Sequence, residues 1–392
     1  MVTNPAFALT WKKIDSASGA SLSWRKVVTA AGAPNTWKKL GVSDFSKLAA
    51  GNNHSLALRS GGTVFASGLN RYGQLGDGTL VDKYTFIQVP GLYNIVAVTA
   101  GDNHTLALRS DGIVFAAGYN YYGQLGDGTT VDKSTFIQVP GLYNIVAVDG
   151  GANYSLALRS DGQVFGSGDN YSGQLGDGTK VAKSTFIQVP GLYGIVAVTA
   201  GGFHSLALRS DGIVFAAGYN GQGQLGDGTT DNKYNFRQVP GLSRIAAVYG
   251  GLYQSLVLHS DGIVFASGNN YRGEIGLGSM IGSSNFIQVP GLYNIAALAG
   301  GGDVHSLALR ADGIVFSSGE NGHGQLGDGT QVNKSTFMQV PGLSTIVAVS
   351  AGQFFSLALR SDGQVFGAGV NDNGQLGIGT TERKFTFSPA QG

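Results

Sequence analysis

The sequence predicts an all-β protein, a closed seven-bladed β-propeller of four-stranded antiparallel blades with a short N-terminal β extension. Three observations lead there. A unit of about 50 residues recurs seven times, each copy breaks into four strand-like pieces, and the two ends of the array look like complementary pieces of one copy.

The repeat comes first. Residues 101–150 read GDNHTLALRSDGIVFAAGYNYYGQLGDGTTVDKSTFIQVPGLYNIVAVDG, and units starting at Gly51, Gly101, Gly151, Gly201, Gly251 and Gly301 follow that template closely. A seventh starts at Gly352, displaced by one inserted residue near Asp303 and Val304. In the second copy the pieces are IVAV, HTLALRS, IVFAAG and STFIQV. The Ser-Asp-Gly between the second and third is read as a type I′ hairpin turn, because Asp-Gly supplies positive φ angles. Pro140-Gly141 ends the fourth piece, since proline cannot donate to a central ladder. No window sustains a 3.6-residue period, so helices are not expected.

The termini separate a ring from a solenoid, which would need capped ends. The last unit stops at FTFSPAQG and lacks the following IVAV piece, while Val42–Gly51 (VSDFSKLAAG) aligns with it. The expectation is a ring closed by residues 42–51 pairing with the last repeat, so that no long edge stays open. Residues 1–41 then form a basic, tryptophan-containing extension, and residues 42–392 the propeller.

Composition excludes several function classes. Glycine supplies 64 of 392 residues and charged residues only 12 %, the reverse of a disordered chain and in keeping with many short strands joined by tight turns. There is no cysteine, which removes disulfides, thiol nucleophiles and thiolate metal sites. Residues 1–50 hold seven Lys or Arg against two Asp, whereas the rest carries 18 basic and 22 acidic residues. A neutral to mildly acidic body is not expected to bind nucleic acid. The first ten residues lack a basic n-region and an apolar h-region, and no long apolar run predicts a membrane span. Synthesis in the cytoplasm is expected.

Motifs that suggest chemistry recur from blade to blade, and a single active site should break the symmetry of its ring. Gly73-Gln74-Leu75-Gly76-Asp77-Gly78 lacks the Lys-Ser/Thr ending of a phosphate loop and opens no helix, so it is read as a turn with positive-φ glycines. His54, His104, His204 and His305 share one repeat position, held elsewhere by Tyr154, Gln254 and Phe355. With no zinc-like spacing, they are read as inward residues hydrogen-bonding backbone between blades, and no metal or cofactor is expected. Arg109 and its equivalents are expected to tie a hairpin to its neighbour. Glu274, Glu320 and Glu382 fall on three different blades, so no carboxylate pair predicts a glycosidase or lyase. No catalytic residue is expected.

What varies between copies is more informative. The residues around each Asn-x-x-Gly are free, and Tyr72, Tyr119, Tyr121, Tyr122, Tyr171, Tyr219 and Tyr271 crowd there. Tyrosine offers rigid contact area and a hydroxyl, so this loop face is the candidate surface for a protein, a receptor or a surface glycan. Blade five departs most, with Gln254, His259, Glu274, Ile275, Leu277 and Ser279.

The His-[Ser/Thr]-Leu-Ala-Leu start and the later Asn-x-x-Gly-Gln-Leu-Gly resemble the regulator of chromosome condensation repeat family. His104, Asn120, Gly123, Gln124, Leu125 and Gly126 carry the pattern in the second copy, and the resemblance spans Gly51 to Gly379. It implies a seven-bladed propeller acting as a docking surface. The family's best-known member is an exchange factor for a nuclear GTPase that also binds nucleosomes. Such factors act through loops inserted between strands, and these repeats are almost free of insertions, so GTPase regulation is the alternative reading.

All three tryptophans lie in the extension, at Trp11, Trp24 and Trp37, in the contexts TWKK, SWRK and TWKK. These short repeats resemble segments of bacteriophage tail and minor structural proteins. Trp11, Lys12, Lys13, Trp24, Arg25 and Lys26 are therefore the candidate attachment surface to a protein partner in a larger assembly, with a virion as the setting that resemblance implies. The function expected is a non-enzymatic interaction module.

Overall fold

A computed structural model describes residues 45–302 and 304–391. The candidate attachment residues Trp11, Lys12, Lys13, Trp24, Arg25 and Lys26 lie outside the described residues. Within them the chain forms 28 strands in seven four-stranded antiparallel sheets, each a simple meander. The first blade comprises β1 (Phe45–Ala50), β2 (His54–Arg59), β3 (Val64–Gly68) and β4 (Lys83–Gln88), ordered β1-β2-β3-β4. β2 and β3 are buried along nearly their whole length, whereas β1 and β4 are only partly buried. Leu56, Leu58, Val64 and Leu75 fill the first blade's core, and Ala107 of the next blade packs against them. Each core is thus shared between neighbours.

Seven isolated bridges close the ring, one from each blade to the next: Asp77 to Thr135, Asp127 to Thr185, Asp177 to Asn235, Asp227 to Asn285, Leu277 to Thr336, Asp328 to Thr386 and Ile378 to Thr85. The seventh joins the last blade to the first. The Gly379 N–H bonds the Tyr84 carbonyl at 2.8 Å, just as Gly128 bonds Ser184 at 2.8 Å. Phe45, Phe65 and Phe86 of blade one pack with Phe355, Leu357 and Ile378 of blade seven.

The pairing expected for residues 42–51 is overturned. β1 pairs with β2 inside its own blade, with Ala50 opposite Ser55, and the seventh blade draws all four strands, starting at Ile346–Ala351, from its own end of the chain. The physical reason lies in the connections. The innermost strand reaches its partner through a three-residue turn, Gly51 to Asn53, but is separated from the preceding outermost strand by the Val-Pro-Gly loop that crosses to the next blade.

The turn reading also needs correction. In Ser110-Asp111-Gly112 only Gly112 has positive φ, at 83°, so the turn is not type I′. Arg109 N–H bonds Ile113 O at 2.8 Å and Gly112 N–H bonds Arg109 O at 3.0 Å, the pattern of a three-residue loop with a bulge at glycine. Asp111 instead accepts the Arg109 guanidinium and the Ile113 N–H.

The residue entering the innermost strand of blades two to seven sits in the left-handed region: Asn94, Asn144 and Asn294 at φ 55–57°, Gly194 at 63°, Arg244 at 54° and Thr345 at 55°. A β-branched side chain is strained there, whereas asparagine tolerates it. Thr345→Asn is expected to stabilise the ring by about 1 kcal/mol, read as a raised urea midpoint. An unchanged or lowered midpoint contradicts that account.

Candidate functional site

The glycine-rich loop is built to grip. Gly73, Gly76 and Gly78 take φ of 80°, 67° and 83°, as expected for a turn. A Cβ on Gly76 would lie 2.3 Å from the Phe136 ring, so this glycine is the seat of the next blade's phenylalanine. Leu75 is fully buried. The Asn70 side chain bonds Asp77 at 2.9 Å, Thr79 caps the same carboxylate, and Lys83 pairs with it at 2.9 Å. Burial pulls the Asp77 carboxyl upward, but its bonds to Lys83, Thr79 and Asn70 outweigh it and hold the group below the usual range. The lysine ammonium already pairs with this carboxylate, and the loop is a structural staple.

The histidines join blades, though not through backbone as expected. The Thr105 hydroxyl donates to the Gln74 carbonyl at 2.7 Å, and His54 Nε2 lies 3.0 Å from the same hydroxyl. The hydroxyl proton is committed to Gln74, so the imidazole donates through Nε2–H. His104 with Ser155, His204 with Ser255 and His305 with Ser356 repeat the arrangement at 2.8–2.9 Å. Tyr154 reaches the His204 carbonyl instead. Blade five's Gln254 bonds Gly302 O at 3.4 Å, and the Ser306 hydroxyl is buried without a partner. Among the described residues, no group of three or more His, Asp or Glu could hold a metal ion.

The antiparallel meander puts the Gly51–Asn53 turns and the Asn-x-x-Gly loops on one face, where Leu69 N–H bonds Asn53 O at 2.8 Å. Four of the seven predicted tyrosines converge there. The Tyr72 and Tyr119 rings lie 4.8 Å apart across blades one and two, Tyr121 and Tyr122 are 5.1 Å apart edge to face, and Tyr119 is 6.4 Å from each of them. Arg71 lies over Tyr72 at 4.6 Å. Burial and the neighbouring phenols of Tyr122 and Tyr72 push the Tyr119 hydroxyl above its ordinary range. Tyr219 packs on Tyr253 at 5.7 Å, a separate group with Phe203, while Tyr171 and Tyr271 stand 72 % and 70 % exposed on their own loops. Arg272 of blade five pairs with Glu320 of blade six, so two of the scattered glutamates' blades meet through one ion pair.

The opposite face carries what the sequence reading passed over. Tyr93, Tyr143, Tyr193 and Tyr293 of the Pro-Gly-Leu-Tyr loops are 60–79 % exposed. Arg109 bonds the Tyr93 hydroxyl at 3.1 Å and Asp111 of its own hairpin, and so ties that hairpin within the blade. The repeating Tyr before the inner strand was a visible signal. A second omission lies inside the ring, where Asp149 replaces the Thr of neighbouring copies and lines a central cavity of about 340 Å³.

A seven-bladed propeller with a four-tyrosine loop cluster defines a scaffold class before it defines a family. The family follows from the pattern of residues: the model of the RCC1-like domain matches residues 18–252 and 138–391, and the chain belongs to that family. Human WBSCR16 is 22 % identical with a TM-score of 0.76, over 84 % of this chain and 94 % of that one. Prp20p from Saccharomyces cerevisiae, solved in work on its binding to Gsp1p and histones, is 23 % identical at 0.76, over 86 % and 88 %. Yeast RCC1 (Prp20) bound to Kap60 gives 20 % and 0.76, over 94 % and 91 %. At these identities the likeness is one of fold. Comparison with curated proteins returned no match.

The buried histidines set an acid limit. Burial lowers His54, His204 and His305 to about 3 and His104 to about 4. The unfolded chain protonates them near 6.5, so their contribution is complete above that pH and lost as pH falls through about 4 for His104 and about 3 for the other three. Each is expected to cost about 2 kcal/mol between pH 7 and 5. Asp149, whose carboxyl burial raises against its hydrogen bonds, acts in the opposite sense but is one group against four. Urea midpoints should fall steeply over this window, and less steeply in His54→Gln/His104→Gln. Equal slopes would remove the histidines as the cause.

Proposed function

We propose that this propeller is a non-enzymatic module that binds a protein partner through its loop face, centred on Tyr72, Tyr119, Tyr121 and Tyr122. The observation that supports this most is that at variable loop positions of a scaffold otherwise copied from blade to blade, blades one and two bring four tyrosines together into one packed group. Tyr121 is 66 % exposed while Tyr119 is half-buried beneath it, so the group combines a held base with an accessible ring. Rigid aromatic groups of this kind dominate interface energetics at small entropic cost. A glycan or receptor is the finer version of the same reading, since stacked phenols also suit sugar rings. A second reading, regulation of a small GTPase, is favoured by family membership and by the likeness to Prp20p; the short loops between strands speak for docking alone.

The extension belongs to the same proposal as the anchor to a larger assembly. A virion assembly rests on the likeness of the Trp-Lys-Lys contexts alone.

Two sets of variants test these parts. Tyr121→Ala/Tyr122→Ala is expected to weaken a cross-linked partner at least about tenfold with an unchanged melting temperature. Tyr143→Ala/Tyr193→Ala on the opposite face should leave that partner bound. If both pairs weaken it equally, the loop face is not the interface. For the extension, Trp11→Ala/Trp24→Ala should weaken assembly at least about thirtyfold while the propeller keeps its melting temperature. A lowered melting temperature with assembly intact would make the tryptophans a clasp on the ring.

A further inference from the structure

The innermost strands present equivalent positions to the central cavity, because each of these residues faces the third residue of the following strand, such as Asp149 opposite Leu156 and Thr199 opposite Leu206. Blades two to five place Thr99, Asp149, Thr199 and Tyr249 there, a continuous polar arc. The facing blades six and one place Ala299 and Ala49, with Ser350 between them. The cavity is therefore two-sided, and its polar side centres on a carboxylate.

Asp149 is held firmly. Its Oδ1 accepts the Thr99 hydroxyl at 2.7 Å and the Gly150 N–H at 3.1 Å, and its Oδ2 accepts the Ala200 N–H at 2.9 Å. Thr199, whose hydroxyl accepts the Gly250 N–H at 3.2 Å, adds a further bond to the carboxylate. Burial raises the Asp149 carboxyl and these donors oppose it, and no Lys, Arg or His is among the described residues lining the cavity, whose other acid is Asp102. Low-dielectric walls focus such a field. Each innermost strand pairs on one side only, and residues of all seven innermost strands line the cavity. A cavity of this size with a few convergent polar groups and a perturbed carboxylate has the properties of a ligand site.

We propose that the central cavity binds one small cation with N–H donors, an alkylammonium or guanidinium group, held beside Asp149 with its apolar part against the Ala49 and Ala299 side. The group can belong to a free small molecule or to a Lys or Arg side chain entering the ring.

Calorimetric titration of the full chain with butylammonium and ethylguanidinium tests this, with butanol as the neutral shape control and acetyl-Gly-Arg-Gly-amide as the side-chain arm. The expected result is one cation per chain, no butanol binding, and affinity lower by at least about tenfold in Asp149→Asn. Peptide binding comparable to ethylguanidinium supports the site with a side chain as its source; small cations binding without the peptide support it with a free ligand. Ala299→Lys, which supplies an ammonium from the opposite wall, should abolish probe binding while the circular dichroism spectrum stays native. The proposal is overturned if no cationic probe binds at about 10 mM, if Asp149→Asn binds as tightly as the parent, or if Ala299→Lys leaves binding unchanged. None of these outcomes depends on the loop-face tyrosines.

Discussion

Every blade depends on the grip of one loop upon the next blade's outermost strand. Gly76 offers a flat seat to Phe136, and Gly78 donates its N–H to the Ser134 carbonyl at 2.9 Å. The divergent copies show which part of this is indispensable. Blades five and seven lose the aspartate, to Leu277 and Ile378, yet keep positive φ at Gly276, Gly278, Gly377 and Gly379 and keep the bridge. The Asn-Asp-Lys staple stiffens the loop, while the glycines make the contact. Because the seventh loop reaches blade one by the same contact, the ring closes without a strand shared between its ends.

That contact also explains why the period was legible in the sequence and the phase was not. A repeat of about 50 residues is visible wherever counting starts, and the four strand pieces were found in their correct order. Where one blade ends and the next begins is decided by which loop is a tight turn and which crosses between sheets. Both loops contain glycine, so letters alone did not separate them, and Phe45–Ala50 was assigned to the wrong sheet. The hairpin reading failed for a related reason: Asp111 was credited with backbone freedom, when its side chain does the work by holding Arg109 and the Ile113 N–H.

The polar layer behind the grip shows how a buried network tolerates variation. At most joints a hydroxyl donates to the glutamine carbonyl of the preceding blade, and a histidine donates to the hydroxyl. Neutral imidazole suits this because burial forbids its charge. Where Gln254 replaces histidine the chain of bonds breaks and Ser306 is left buried and unpaired, a local loss of the kind that typically costs about 1–3 kcal/mol. The joint between blades five and six thus lacks this bond, and the Arg272–Glu320 ion pair spans the same joint on the surface.

Function in such a molecule has to be sought in departures from the repeat, and departures differ in how visible they are. The loop tyrosines stood out because several positions varied together, and packing then separated Tyr72, Tyr119, Tyr121 and Tyr122 from the solitary Tyr171 and Tyr271. Asp149 is a single changed letter in a strand that otherwise reads as core, and a linear scan gives it no weight. Only the ring turns it into a feature, by placing Thr99 and Thr199 of the adjoining blades against its carboxylate and alanines across the cavity. A change that looks neutral along the chain becomes a polar asymmetry in the wall of the channel, because closure brings equivalent positions about 50 residues apart into a single circle of side chains.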